Sequence, residues 1–214
     1  APARSMPGKP PRPTNSAAII LAAGASRRLG QPKQLLPAGE SPLLLNSVRA
    51  ALASPVWPVI VVLGAHAATI RPHLTALPVL TVENSAWESG MASSLVCGLN
   101  TALAFSRNLA GVIISPCDQP ALQASHFSRL LDAARAQGVR IAAHRYANHL
   151  GAPAWFDGSL FAPLATLSGD AGARALLRTL PKAEIAICES PELAFDIDTP
   201  ADALALQNQA PRTS

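Results

Sequence analysis

A chain of 214 residues that is 49% hydrophobic and 14% charged has ample material for a buried core and is too apolar to be disordered throughout. Its formal charge of +4 points toward nucleic acid only until the charges are placed: Arg4, Lys9 and Arg12 all fall within the first fifteen residues, and the rest is near neutral. The body has no clustered Lys and Arg interleaved with aromatics, which argues against a polynucleotide groove. Cys97, Cys117 and Cys188 form no C-x-x-C pair, so neither a disulfide framework nor a thiolate zinc site is indicated. Three free thiols suit a reducing, cytoplasmic setting.

Residues 1–15 are basic, rich in proline and without apolar periodicity, and are expected to be a disordered or extended tail. A single domain is expected over 16–208, followed by a short tail at 209–214. The basic residues ahead of Ala17 to Ala23 superficially resemble a signal peptide, but cleavage there would remove the glycine loop that follows. Ala17 to Ala22 reads instead as a buried strand. Further strands are expected at Val59 to Leu63, Val79 to Val82, Gly111 to Ser115, Arg140 to His144 and Leu193 to Ile197. Segments of helical period alternate with them. Ser41 is a candidate cap for a helix opened by Pro42, with Leu45, Val48 and Leu52 on one face. A helix from about Met91 aligns Leu95, Leu99 and Leu103, and another groups Phe127, Leu130, Leu131 and Ala134. Near the end, Thr199 can cap a helix opened by Pro200, with Asp202 at its positive end. The uncharged stretch Ala50 to Ile70 is interrupted by Pro55, Pro58 and His66, so no membrane span is expected. The alternation predicts an α/β fold: a three-layer, mostly parallel, Rossmann-like sheet with helices on both faces.

The loop after the first strand, Leu21 to Lys33, holds Gly24 and Gly30 with Ser26, Arg27, Arg28 and Lys33 around them. Glycine lets backbone N–H groups approach an anion, and the cations neutralise it, so a phosphate chain is the expected guest. The alternative is a plain strand-to-helix turn with solvated basic residues. The Walker pattern G-x-x-x-x-G-K-[ST] is not matched, because the two glycines stand further apart and Lys33 does not directly follow Gly30. Nor does G-x-G-x-x-G occur. Asp118, in Pro116-Cys117-Asp118-Gln119-Pro120, follows an apolar run, and a carboxylate at the carboxyl end of a parallel strand points into the crevice where open α/β sheets bind ligands. It is placed to hold Mg²⁺ or, alternatively, to cap the next helix. In Phe195-Asp196-Ile197-Asp198-Thr199-Pro200, strand alternation puts both aspartates on one face. Asp198 is the favoured second metal carboxylate, with Asp196 as the alternate and local capping of Asp198 as the competing reading.

These motifs resemble those of the molybdenum cofactor guanylyl- and cytidylyltransferase-like family, within the nucleotide-diphospho-sugar transferase fold. The first loop matches L-A-A-G-x-S-x-R-x-G-x-x-K. The resemblance implies that the backbone from Ala22 through Ala23 to Gly24 faces the base, that Leu21, Ser26, Arg28, Gly30 and Lys33 also belong to the nucleotide site, and that Arg28, Lys33 and Asp118 carry catalysis. Asn84 to Leu95 is similar to the family stretch N-P-x-W-x-x-G-M-x-S-S-L, with Ser85 where proline is usual. It implies nucleotide contacts from Gly90, Ser93 and Ser94, although each serine is equally a helix cap. Trp87, Gly151 and Pro153, with Asp170 and Arg174 of Gly169-Asp170-Ala171-Gly172-Ala173-Arg174, are weaker candidates for an acceptor site. For Trp87 simple packing competes, and for Arg174 plain solvent exposure. Ala23 stands where guanylyl members usually have a second glycine, which favours the cytidylyl branch. The implied reaction is Mg²⁺-dependent transfer of CMP from CTP to a molybdopterin-type acceptor. GTP, another phosphorylated acceptor and a non-catalytic cofactor carrier are the alternatives, and a molybdenum hydroxylase is a possible client. Cys117 reads as a small buried neighbour, and His66, His73, His126, His144 and His149 show no metal spacing.

Overall fold

The computed structural model describes residues 15–209. The tail read at residues 1–15 therefore lies outside the described residues except for Asn15, whose carbonyl accepts the Ala110 N–H. Residues 210–214 of the second tail lie outside them as well. In chain order the strands are β1 (Ser16–Ala22), β2 (Pro37–Ala38), β3 (Ser41–Pro42), β4 (Val59–Leu63), β5 (Leu80–Glu83), β6 (Gly111–Pro116), β7 (Ile141–Tyr146), β8 (His149–Asp157) and β9 (Ile185–Glu189). The α-helices are α1 (Leu43–Leu52), α2 (Ala67–Ile70), α3 (Met91–Phe105), α4 (Ala124–Gln137), α5 (Phe161–Ala165), α6 (Arg174–Thr179) and α7 (Pro200–Gln209).

Seven strands form one sheet in the order β5-β4-β1-β6-β8-β7-β9. β5, β4, β1 and β6 run parallel, β8 runs antiparallel to both its neighbours, and β9 is parallel to β7. The uninterrupted apolar runs of β1 and β4 are what a strand covered on both faces requires, and every residue of β4 is buried. Strand alternation divides the core. Ala18, Ile20, Val59, Val61 and Leu63 pack with Leu44 and Val48 of α1 and Phe127 and Leu130 of α4. Ala17, Ile19, Ile60 and Val62 pack with Leu95 and Leu99 of α3 on the opposite face. The result is the expected three-layer fold. Because β1 leads to β4 on one side and has β6 on the other, its carboxyl end is a switch point, where such sheets leave a crevice.

The structure corrects several local expectations. Leu193 to Ile197 is not a strand: a 3-10 turn covers Pro191–Ala194, and the segment after it follows Asp118 through a single hydrogen bond from Ile197 N to Asp118 O at 3.0 Å. The place beside β7 is taken by β9, and the later segment adds no ladder to the outer edge of β9. Only half of the expected alternation survives, since Ile197 is fully buried while Phe195 is partly so. Gly151 and Pro153, read as a rigid turn, lie inside β8, where proline is tolerated next to the irregularity in β7 between Ala143 and His144. Ser41 pairs with Ala38 in a short ladder instead of capping, and α1 starts at Leu43. Thr199 behaves as expected, accepting the Asp202 N–H at 3.3 Å while Asp202 accepts the Thr199 N–H at 2.8 Å.

A buried polar network ties β7 to α4 and to the turn that precedes Asp198. His144 is fully buried, with Nε2 donating to the His126 carbonyl at 3.1 Å and Nδ1 accepting from Ser190 Oγ at 2.6 Å. His126 Nε2 lies 2.8 Å from Glu192, and Arg129 donates to both Ser190 and Glu192. Burial, reinforced by the neighbouring His126, lowers the His144 pKa from 6.5 to about 4. Above pH 6.5 both folded and unfolded forms are neutral and the contribution is complete; as pH falls toward 4 the unfolded chain takes up a proton that the folded one refuses. Urea denaturation between these limits is expected to lose roughly 3 kcal/mol of stability, a slope absent in His144→Gln.

Candidate active site

The loop leaving β1 is shaped by its own side chains. Gln34, buried, donates from Nε2 to the carbonyls of Ala22 and Gly24, both at 2.9 Å, and so pins the loop from beneath. Ser26 has φ 52° and Gly30 φ 75°, both left-handed, and the Ser26 carbonyl accepts the N–H groups of Leu29 and Gly30. Ser26 Oγ accepts the Lys33 N–H at 3.1 Å. Leu29 then packs with Leu36, Leu43 and Ile197, which joins this loop to the segment carrying Asp198.

Lys33 is the centre of the site. Its Nζ donates to Asp118 Oδ2 at 2.6 Å and to Asp198 Oδ1 at 2.9 Å, bridging 85 and 165 residues of chain. Arg28 donates to the other oxygen of Asp198 at 2.7 Å. Burial opposes the Lys33 charge, yet the charge and hydrogen bond of Asp118 outweigh it and hold the ammonium above the ordinary lysine range. Burial likewise works against Asp198, but Lys33 and Arg28 prevail and lower its pKa. Asp196 is pushed up by burial and then by the charges of Asp118 and Asp198, against which Lys33 and Arg174 act only in part. Cys117 is pushed up to about 12, first by burial and then by Asp118, which keeps it a thiol.

Two carboxylates converging on one cation fit a divalent ion: magnesium is commonly held by one or two carboxylates with substrate phosphates and water completing its shell. Among the described residues no group of three or more His, Cys, Asp or Glu side chains is arranged around a metal position. The pair supplies two ligands, and a nucleotide would supply others.

The remaining candidates fall into two places. Ala23 is buried, and a Cβ added at Gly64 would lie 2.8 Å from the Ala23 Cβ and 2.8 Å from that of Trp87, so Trp87 stands beside the glycine loop. Arg27 lies 6.0 Å over its ring. Asn84, to which the sequence reading assigned no role, donates to Ser93 Oγ at 2.8 Å and Ser94 Oγ at 3.0 Å, engaging both hydroxyls at the start of α3. Gly90 packs against Gly169 and Asp170, which brings the Gly169 to Arg174 loop to the same helix end.

The second place is a cleft of about 460 Å³ lined by His149, Leu150, Arg174, Leu177 and Arg178. Neither arginine makes an ion pair among the described residues. Burial raises the pKa of Tyr146 and of Asp196, and the Arg174 charge opposes the rise in both, so Arg174 lies within electrostatic range of these two side chains. Gly151 lies under the Tyr146 hydroxyl, and Pro153 is buried in β8. His149 and Arg178 belong to no motif, and only their meeting across β8 and α6 marks them. Gln119 was also missed: buried, it donates to Tyr146 OH, the Ala152 carbonyl and the Leu193 carbonyl, locking the Asp118 loop to the hairpin and to the turn before Asp198.

No helix among the described residues is long and apolar enough to cross a membrane. The chain is 34% identical over 189 residues to nicotine blue oxidoreductase of Paenarthrobacter nicotinovorans, covering 85% of this chain and 91% of that protein. It is 31% identical over 199 residues to the purine catabolism protein PucB of Bacillus subtilis, covering 86% and 92%. Among solved structures, Rv0371c of Mycobacterium tuberculosis superposes with a TM-score of 0.75 at 30% identity, over 92% of this chain and 100% of that one. The same protein solved as a complex with manganese superposes at 0.71, with 26% identity, over 91% of this chain and 98% of that one. The MobA-like NTP transferase domain matches residues 18–185, a span that holds the glycine loop, Asp118 and the α6 arginines. With that match over most of its length and the expected sheet beneath it, the chain belongs to the MobA-like NTP transferase family.

Proposed function

We propose that this protein transfers CMP from CTP to the terminal phosphate of a molybdopterin-type acceptor, releasing pyrophosphate. The observation that carries the reading is the convergence of Asp118 and Asp198 on Lys33 beside the glycine loop. The acceptor phosphate would attack the α-phosphorus in line, with no covalent enzyme intermediate. Arg28 and Lys33 would neutralise the triphosphate, and the backbone of Ala22 to Gly24 would face the base. Asp118 and Asp198 would hold Mg²⁺, which supplies further charge neutralisation at the phosphate oxygens; such transfers depend mainly on positioning and electrostatics. Support for a divalent ion comes from the relative solved with manganese. Support for cytidine comes from Ala23, whose buried methyl faces Gly64 where guanylyl members usually carry glycine. The cleft at Arg174 and Arg178 would receive the acceptor, its apolar walls Leu150 and Leu177 against the ring system. A molybdenum hydroxylase would then take the product.

Incubation with Mg²⁺, CTP or GTP in turn, and molybdopterin-type acceptors is expected to release pyrophosphate with CTP and acceptor together. Release with GTP instead would overturn the cytidylyl assignment, and binding without release would favour a carrier. Arg178→Gln is expected to raise the acceptor KM roughly tenfold with kcat retained, the loss of one charge-assisted contact. A second reading, a redox activity, is favoured by the 34% identity to a protein named as an oxidoreductase. It predicts that a nicotinamide cofactor is oxidised in the presence of a dye acceptor while no pyrophosphate appears.

A further inference from the structure

The cation between the two carboxylates is the chain's own. A magnesium ion needs oxygens at roughly 2.1 Å, whereas the Lys33 ammonium already sits 2.6 Å and 2.9 Å from an oxygen of each aspartate. The two cations cannot share that position. The Lys33 backbone is fixed by Ser26 Oγ, and the residue after it by the Ala22 and Gly24 carbonyls, so any withdrawal is confined to the flexible side chain. Arg28, which covers the other oxygen of Asp198, is largely exposed and equally free to swing. Both cations belong to the loop that would receive a triphosphate.

We propose that Lys33 is an internal counter-cation that competes with a divalent ion for Asp118 and Asp198, and that a bound triphosphate, by drawing the ammonium onto its own oxygens, hands the carboxylate pair to the ion. Ion and triphosphate binding are then positively coupled through one side chain, and by reciprocity each tightens the other. Lys33 also keeps the two carboxylates from repelling each other when no ion is bound, so the loop and the Asp198 segment stay together throughout. This inference rests on the nucleotidyltransferase reading for the identity of the triphosphate. The competition itself rests on the distances alone.

The test uses the full chain and Mn²⁺ as the probe, with affinity read from the paramagnetic resonance of free Mn²⁺ and no nucleotide present. Lys33→Gln is expected to bind one Mn²⁺ roughly tenfold more tightly than the unaltered protein. The double variant carrying Asp118→Asn as well is expected to lose that gain. Equal or weaker Mn²⁺ binding by Lys33→Gln would overturn the proposal, as would tight binding that survives in the double variant. In the unaltered protein, the Lys33 ammonium nitrogen resonance, protected while both carboxylates hold it, is expected to shift when Mg²⁺ and CTP are added together. An unchanged resonance at saturation would also overturn the proposal, and this measurement does not depend on a variant folding. Pyrophosphate assays on the unaltered protein separate the two levels: turnover there, with no Mn²⁺ gain in Lys33→Gln, removes the competition and leaves the transferase reading. The Mn²⁺ gain in Lys33→Gln without turnover in the unaltered protein does the reverse.

Discussion

Asp118→Asn is expected to lower pyrophosphate release by at least about a thousandfold while leaving the thermal midpoint nearly unchanged. The asparagine keeps the volume and the backbone carbonyl that accepts the Ile197 N–H, so the join between the β6 loop and the Asp198 segment is retained. The negative charge is lost. That charge is half of the pair proposed to hold a divalent ion, and Asp198 by itself would be left with Lys33 and Arg28 against it. The effect on stability is limited because Lys33 retains Asp198 and the amide oxygen of the substituted side chain is still an acceptor for its ammonium. Activity near that of the unaltered protein would remove Asp118 from the metal assignment.

Gly90→Ala is expected to cost roughly 2–5 kcal/mol, a fall in thermal midpoint of about 5–15 °C, because strain and overpacking act together. Gly90 has φ 109° and ψ 171°, a region open essentially to glycine. An added Cβ would lie 2.6 Å from the carbonyl carbon and oxygen of Gly169 and 2.8 Å from Asp170 Oδ1. The Gly169 carbonyl is also the acceptor for the Ala92 N–H at 3.0 Å, one of the donors at the start of α3. If the Gly169 to Arg174 loop yields, the strain is relieved at the expense of Arg174, and acceptor KM rises in place of the melting shift. A variant unchanged in both melting and acceptor KM would show that residues 169–174 are not held by Gly90.

Where period and chain-local chemistry decided the outcome, the sequence was legible. Leu95 and Leu99 occupy the buried stripe of α3, Thr199 and Asp202 cap α7 reciprocally, and the apolar runs of β1, β4 and β6 form neighbouring parallel strands. The misreadings share a cause. Gly151 and Pro153 are strong turn signals in isolation, yet β8 carries both: Gly151 pairs with His144, and Pro153 falls in the register shift before Ala154 resumes pairing with β6 and β7. Phe195 to Asp198 alternates like a strand, yet its backbone N–H groups are taken by the Asp118 carbonyl and the Asp202 carboxylate instead of by a sheet ladder. Arg178 and His149 had no motif to mark them, and Gln119, although inside the Asp118 motif, had no role that the motif assigns, since each matters through residues distant in the chain.

The amino-acid sequence by itself determined the layered α/β class, the helices and parallel strands around β1, and the glycine loop with its basic residues. Those features follow from side-chain period, glycine freedom and local charge, which any stretch of chain carries with it. Only the tertiary structure decided that Asp118 and Asp198 meet on one ammonium, 85 and 165 residues away, and that Arg174 shares a cleft with His149 and Arg178. The physical reason is strand order: inserting β8 antiparallel between β6 and β7 sets which carboxyl ends and which hairpin share the crevice, and no local pattern encodes that choice.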